Sequence, residues 1–276
     1  MLKTRILTAL VLLAVLLPVL FFQYFPAFVV VATLFFGAAM WEAARLFGLK
    51  LAPLFAAACA GAFVYGMFHA KPGAMGSLFA VCALLWAIRF APSLGLGLPP
   101  LKGAANWTLG LTFAFALFGC FYAMLALFQH SPAFLLSAMA LVWVADIGAY
   151  FCGKAFGKRK LAPTISPGKS WEGAIGGAAI VLLIAIATIV AAPVAPWLQD
   201  TFAVRLQATM GWLATLPILL LMVAASIAGD LFESQLKRRA GMKDSSNLLP
   251  GHGGVLDRID ALIPVLPMAA LIGSWL

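Results

Sequence analysis

Runs of about twenty apolar residues, recurring along almost the whole chain, limit its fold more than any other feature. Stretches such as Ile6 to Phe22 and Ile180 to Ala192 are almost continuously apolar. A domain folded in water has to cover such segments with polar surface, and this chain has little to cover them with. Only 10% of its 276 residues are charged, against 64% hydrophobic, and the mean hydropathy is +1.05. Soluble domains carry about a quarter charged residues, so an ordinary cytosolic or secreted enzyme is excluded. Disorder is excluded too, because it requires low hydrophobicity.

A window of about 20 residues, the length of a helix that crosses a bilayer, predicts nine spans, near 6–25, 27–48, 51–69, 73–91, 107–128, 132–152, 173–198, 210–232 and 255–276. Continuous apolarity, not alternation, favours helices over the strands of an outer-membrane barrel. The expected fold is therefore an all-α, polytopic integral membrane protein. The first run follows Lys3 and Arg5, as the apolar core of a signal peptide would. Phe21, Phe22 and Tyr24 stand where a small-residue cleavage site belongs, so a retained first helix is expected.

Positive residues near helix ends stay on the cytoplasmic side. With nine spans and the N-terminus inside, every Lys and Arg falls inside except Lys71 and Arg205, and Asp200 is the only acid outside. That asymmetry predicts an N-in, C-out orientation. It also divides the chain into N-terminal transmembrane helices (1–130, about five) and a C-terminal catalytic region (131–276) with cytoplasmic loops near 153–172 and 233–256. Cys59, Cys82, Cys120 and Cys152 lie in apolar spans without CxxC spacing and read as packing residues. Gly173 and Gly177 form a GxxxG that reads as a close helix contact.

The polar residues crowd into two inner segments. One runs from Asp146 through Lys158, Arg159 and Lys160 to Ser166-Pro167-Gly168-Lys169-Ser170-Trp171-Glu172-Gly173; the other runs from Asp230 to Asp260. Carboxylates at the edge of hydrocarbon face a polar cavity, pair with a base or hold a cation. Asp230 is expected to end one helix, and Asp257 and Asp260, on one face at i,i+3 spacing, to begin the next. The loop between is long enough to bring them together. Hard oxygen ligands at such a place suit Mg²⁺, with salt bridges to Arg258, Lys237 and Arg238 as the alternative. For Asp244, beside Lys243, a salt bridge is the equal reading.

Lys237, Arg238, Arg239 and Lys243 point to a polyanionic substrate, phosphate above all, although juxtamembrane bases also touch anionic headgroups. Gly251, Gly253 and Gly254 after Pro250 allow sharp turns and close approach of N–H groups to a ligand. His252 among them suits a hydrogen-bond donor or an acid–base group. In the first segment Ser166, Lys169 and Ser170 stand before a helix N-terminus, itself an anion site; Ser170 also suits an N-cap, with Glu172 in the first turn. No P-loop is present.

Ser234-Gln235-Leu236-Lys237-Arg238, Lys243-Asp244, Pro250-Gly251-His252-Gly253-Gly254 and Asp257-Arg258-Ile259-Asp260 together resemble the signature of the bacterial phosphatidate cytidylyltransferases, also called CDP-diglyceride synthases. Asp146-Ile147-Gly148-Ala149-Tyr150 and Ile165 to Gly173 resemble the family's second block, and length and helix number match over essentially the whole chain. Ile147 departs from the small hydroxyl residue expected there. The resemblance implies a Mg²⁺-dependent nucleotidyltransferase of phospholipid biosynthesis in the bacterial cytoplasmic (inner) membrane, active on the cytoplasmic side. Its partners would be CTP, phosphatidic acid and membrane lipids, not nucleic acid, with a second metal ion and a homodimer both allowed. It further implies Asp230, Asp257, Asp260 and Asp146 as metal ligands, and Asp230, Asp257, Lys237, Lys243 and His252 as the catalytic group. Ser166, Lys169, Ser234, Arg238, Gly253, Gly254 and Arg258 would bind substrate. An attacking phosphate monoester is largely ionised near pH 7, so no strong general base is needed.

Two rival readings share parts of this pattern. A secondary transporter for an organic phosphate would place its site near the midplane and show inverted repeats, whereas here the polar residues gather at one face. A cytidylyltransferase for another lipid, such as an isoprenoid glycerophosphate, would share the chemistry and differ only in the lipid pocket.

Overall fold

The computed structural model describes the backbone of residues 2–69 and 72–276, and the side chains of these except 2–6, 9, 12, 72 and 73. The side chains of Lys3 and Arg5, and the whole of Lys71, which enter the charge count above, lie outside the described residues. Helices α1 (Leu2–Phe21), α2 (Phe25–Leu46), α3 (Ala52–His69), α4 (Pro72–Leu85), α5 (Ala91–Leu96), α6 (Ala104–His130) and α7 (Pro132–Phe156) come first. A short hairpin of β1 (Lys160–Ala162) and β2 (Ser166–Ser170) follows, then α8 (Trp171–Ala191), α9 (Phe202–Arg239), α10 (Leu256–Ile259) and α11 (Leu262–Gly273). A π-helical turn over Trp86–Phe90 joins α4 to α5.

Among the described residues, seven helical stretches are long and apolar enough to cross a bilayer: α2, α3, α4 continued through α5, α6, α7, α8 and α9. The protein is an all-α polytopic membrane protein. All nine expected segments are at least partly helical, but three details differ from the sequence reading.

First, α9 does not stop at Asp230. It continues for more than two turns to Arg239, so Ser234, Lys237 and Arg238 stand on a helix and not in a loop. Leu231, Phe232 and Leu236 keep one face of this extension buried, while the polar residues between them lower the local hydropathy and hide it from a window average. The helix is also bent, because Gly211 takes non-helical angles (φ 70°). From Trp212 to Arg239 it measures about 40 Å at 1.5 Å per residue, longer than the roughly 30 Å hydrocarbon layer.

Second, the segment 255–276 is not one span. α10 has 4 residues and α11 has 12, a length of about 18 Å. A helix that is apolar all round belongs in a core, and α11 packs against α4, α6, α7 and α9 in the middle of the bundle. Third, the loop after α7 forms an antiparallel hairpin, with Lys160 opposite Ser170 and Ala162 opposite Ser166. Buried Ile165 pins its turn.

In lipid, helices associate by close packing and not by exclusion of water, and small residues provide that closeness here. A Cβ on Gly173 would come within 2.7 Å of the Ala149 carbonyl oxygen, and one on Gly177 within 2.5 Å of the Ala145 carbonyl oxygen. The expected GxxxG contact is therefore present, between α8 and α7. Ser131 and Ser170 cap α7 and α8, accepting from Phe134 N (3.0 Å) and Gly173 N (3.1 Å). Elsewhere aromatic rings lock the helices, with Phe28 stacked on Phe128 at 4.0 Å and Phe232 of α9 set among Trp86, Phe90 and Phe113.

Gly177→Val is expected to lower the unfolding midpoint of the detergent-solubilised protein, at a cost of about 1–3 kcal/mol for an overfilled contact. Gly61→Val, on α3 where an added Cβ meets nothing within 4 Å, should cost no more than about 0.5 kcal/mol.

Candidate active site

The site is built where α9 passes the joint between α10 and α11. Gly229 permits that crossing, since a side chain there would lie 2.5 Å from the Asp260 carbonyl oxygen and 2.9 Å from Pro264 Cδ. The next residue, Asp230, is thereby set beside Asp260. On the other side, the α7–α8 contact carries Asp146 and the β2 strand toward the same space. The result is a cavity of about 560 Å³ lined by Asp146, Tyr150, Lys154, Ser166, Lys169, Asp230, Asp257, Arg258 and Asp260. Its walls include Ala145, Ala149, Val223 and Ile227, so one part of it is apolar.

Within the cavity Lys169 Nζ lies 2.5 Å from Asp230 Oδ2; from behind the cavity lining, the Ser234 hydroxyl donates to Asp230 Oδ1 at 3.3 Å. Asp260 accepts from Ala261 N at 2.8 Å. Burial, and then the negative charge of Asp230, push the Asp260 carboxyl above its ordinary pKa. Two acids in this position favour a shared cation. Among the described residues no group of three or more His, Cys, Asp or Glu side chains is close enough to enclose a metal on protein atoms alone. A Mg²⁺ ion does not require that, because it keeps waters and takes one or two carboxylates together with substrate phosphates. The oxygen donors of Asp230 and Asp260 fit such an ion.

Asp257 has a different environment. α10 lies outside the membrane-spanning helices, and the Asp257 carboxylate accepts from Lys237 Nζ (2.7 Å), Gly254 N (2.7 Å), Ser245 N (2.9 Å) and the Ser245 hydroxyl (2.9 Å). Burial alone would raise its pKa, but Lys237 and these N–H donors hold it below the usual value. Lys237 also pairs with Glu233, one turn earlier on α9. Lys237 is thus a partly buried bridge between two carboxylates that ties α9 to α10.

Of the residues expected to form the site, the structure gathers Asp146, Ser166, Lys169, Asp230, Asp257, Arg258 and Asp260 around one cavity. Arg258 donates to the His252 carbonyl from Nε at 2.9 Å. Lys237, Ser234, Arg238, Lys243, His252, Gly253 and Gly254 do not line it. Arg238 and Lys243 are exposed. The glycines serve the loop itself: Gly253 takes φ +84°, and a Cβ on Gly254 would collide with Ser245 and Glu42. The Gly254 N–H points to Asp257 and not to an open anion site. Ile147, the departure noted in the sequence, is 58% exposed and forms no part of the cavity wall.

Two residues escaped the sequence reading. Lys154 lies two turns after Asp146 on α7 and lines the cavity. Glu42, in the middle of the chain's apolar first half, is fully buried against the loop before α10. A lone carboxylate in an apolar span was the available signal for Glu42.

A family model described as the cytidylyltransferase family matches residues 3–276. The chain belongs to the cytidylyltransferase family. It is 41% identical to a phosphatidate cytidylyltransferase of Pseudomonas aeruginosa, over 99% of this chain and 97% of that protein. It is 38% identical to the phosphatidate cytidylyltransferase of Haemophilus influenzae, over 97% of this chain and 96% of the relative. A Bacillus subtilis phosphatidate cytidylyltransferase matches half of the chain at 42% identity. As a cytidylyltransferase the protein handles a nucleotide, and its cavity is lined by cations and carboxylates together with apolar side chains.

Breaking a buried ion pair by removing one partner costs about 3–5 kcal/mol, because the other charge is left uncompensated. Lys237→Met leaves Glu233 without its cation and Asp257 with only its N–H and hydroxyl donors, and should destabilise by about 3 kcal/mol, whereas Lys243→Met, at an exposed site, should stay within about 0.5 kcal/mol. Denaturation of the two variants in the same detergent measures the difference.

Proposed function

We propose that the chain transfers the cytidylyl group of CTP to phosphatidic acid, giving CDP-diacylglycerol and pyrophosphate. The observation that carries this reading is the cavity of about 560 Å³ in which Asp146, Asp230, Asp260, Lys169 and Arg258 meet beside an apolar wall. One substrate is a polyanion from water and the other a polyanion held by acyl chains, and such a mixed lining suits both. The names of the relatives that cover nearly the whole chain support the same conclusion.

A phosphate oxygen of phosphatidic acid forms a bond to the α-phosphorus of CTP. The bond from that phosphorus to the bridging oxygen of the β-phosphate breaks, and the electron pair leaves with pyrophosphate. Positioning and charge neutralisation account for most of the catalysis of phosphoryl transfer. Lys169 and Arg258 supply fixed positive charge at the cavity wall, and Ser166 supplies a hydroxyl donor. Asp230 and Asp260, with Asp146 facing them, would hold Mg²⁺, which neutralises phosphate charge and orients the CTP chain when bound. Lys169, paired with Asp230 at the cavity wall, stands within reach of a substrate phosphate bound there. Asp257 and Lys237 keep α10 and α9 in register so that Arg258 and Asp260 face the cavity. His252 acts through its backbone carbonyl, which holds Arg258.

The same reading places the site at the cytoplasmic side of the bacterial inner membrane, where CTP is found. It is supported by the bases at this end of the bundle, Lys154, Lys158, Arg159 and Lys160 near the hairpin and Lys237, Arg238, Arg239 and Lys243 after α9. Residues 131–276 carry the chemistry, and the helices before them serve as scaffold.

Purified protein in detergent is expected to move label from radioactive CTP into a chloroform-soluble product when phosphatidic acid and Mg²⁺ are present, and EDTA should abolish the transfer. Asp230→Asn should reduce the rate by at least about 10–100-fold, the scale on which even the loss of a group that orients a metal ligand is felt. Transfer to an isoprenoid phosphate and not to phosphatidic acid would overturn the lipid assignment, and no transfer to either would overturn the reaction.

A further inference from the structure

Glu42 stands on α2, about two hundred residues before the loop that it contacts. Its side chain is fully buried. Oε1 accepts from the Ser246 hydroxyl (2.5 Å) and Val255 N (3.1 Å), and Oε2 accepts from Leu256 N (2.6 Å) and the Ser245 hydroxyl (3.2 Å). Val255 and Leu256 open α10, whose first N–H groups have no partner within the helix. Glu42 takes the place of an N-cap from a distant helix, and it also closes the start of the loop through Ser245 and Ser246.

The Ser245 hydroxyl connects this carboxylate to the site. It lies 2.9 Å from Asp257 Oδ2 as well as 3.2 Å from Glu42 Oε2, and its one proton serves one acceptor at a time. A continuous chain therefore runs from Glu42 through Ser245 to Asp257, on to Lys237 and to Glu233. Gly254 is required in the same place, since any side chain there would occupy the space of the Glu42 carboxylate and the Ser245 hydroxyl. Arg258 and Asp260, which line the cavity, follow within five residues of the two amides that Glu42 holds.

We propose that Glu42 is a positioning residue of the active site, a carboxylate clamp from the N-terminal helices that fixes the 245–256 loop so that Arg258 and Asp260 face the nucleotide. The proposal rests on the nucleotidyl-transfer reading for its kinetic consequence, but not for its structural one. It also revises the scaffold role given to the first half of the chain, because one of its helices completes the site. On the nucleotidyl-transfer reading Arg258 and Asp260 serve the nucleotide, so a loosened loop is felt by CTP before it is felt by the lipid.

The test compares Glu42→Ala and Glu42→Gln with the unaltered protein, in detergent. Amide hydrogen exchange reads the clamp directly. In Glu42→Ala, exchange should accelerate in residues 245–258 while the core peptides of α6 and α11 keep their protection. In the transfer assay the KM for CTP should rise about tenfold or more, the scale of losing an orienting partner, with the KM for phosphatidic acid changed less than twofold. Glu42→Gln keeps one carbonyl oxygen for the α10 amides and should recover part of both effects. Exchange that rises over all helices would overturn the proposal by making Glu42 an ordinary core residue. Local loosening of the loop with both KM values unchanged would overturn it too. If the unaltered protein transfers no cytidylyl group, the functional reading fails, and the exchange pattern alone then decides whether the clamp exists.

Discussion

Carboxylates in a low-dielectric setting have to be answered by positive charge or by N–H donors, and the end of this bundle is organised around that need. Glu42, Asp230, Glu233, Asp257 and Asp260 are all at least partly withdrawn from water there. Several of them find their answer on a different element. Lys169 from the hairpin meets Asp230, Lys237 joins Glu233 to Asp257, and backbone amides of the 245–256 loop turn to Asp257 and Glu42. Removing any of these partners leaves a charge uncompensated, so the loop, α9 and α10 hold one another in place.

The closeness needed for these contacts comes from residues without side chains. Gly229 lets α9 touch the α10–α11 joint, and Gly173 and Gly177 let α8 lie against α7. Larger residues at those positions would separate the helices that carry Asp146, Asp230 and Asp260. Phe232, two residues beyond Asp230, is held among Trp86, Phe90 and Phe113 and fixes the rotation of α9. Rigid apolar packing on one side thus positions the polar groups on the other.

In the proposed reaction the protein, a member of the cytidylyltransferase family, brings a water-borne nucleotide to a membrane-held partner. A single cavity lined by both charged and apolar side chains suits that requirement. The compact hairpin between α7 and α8 carries Lys169 to the cavity, and Glu172 holds its base by accepting from Lys158 N and Arg159 N.

The membrane fold was legible because apolar runs of helix length have few alternatives in a bilayer. The GxxxG contact and the Ser170 cap were legible for a similar reason, since each depends on neighbours a few residues away. The extension of α9 was hidden, because Ser234, Gln235, Lys237 and Arg238 lower its hydropathy although its buried face continues through Leu236. The short α11 was hidden as well, since apolar sequence reads the same in a protein core as in lipid. By itself the sequence determined which groups could do chemistry, two segments of acids and bases with glycines between them. Only the tertiary structure decided that Asp146, Ser166, Lys169, Asp230, Arg258 and Asp260 share one cavity while Lys237 and the loop glycines build its frame. It also decided that Glu42 belongs to the site, because a hydrogen bond across two hundred residues leaves no local pattern in the chain.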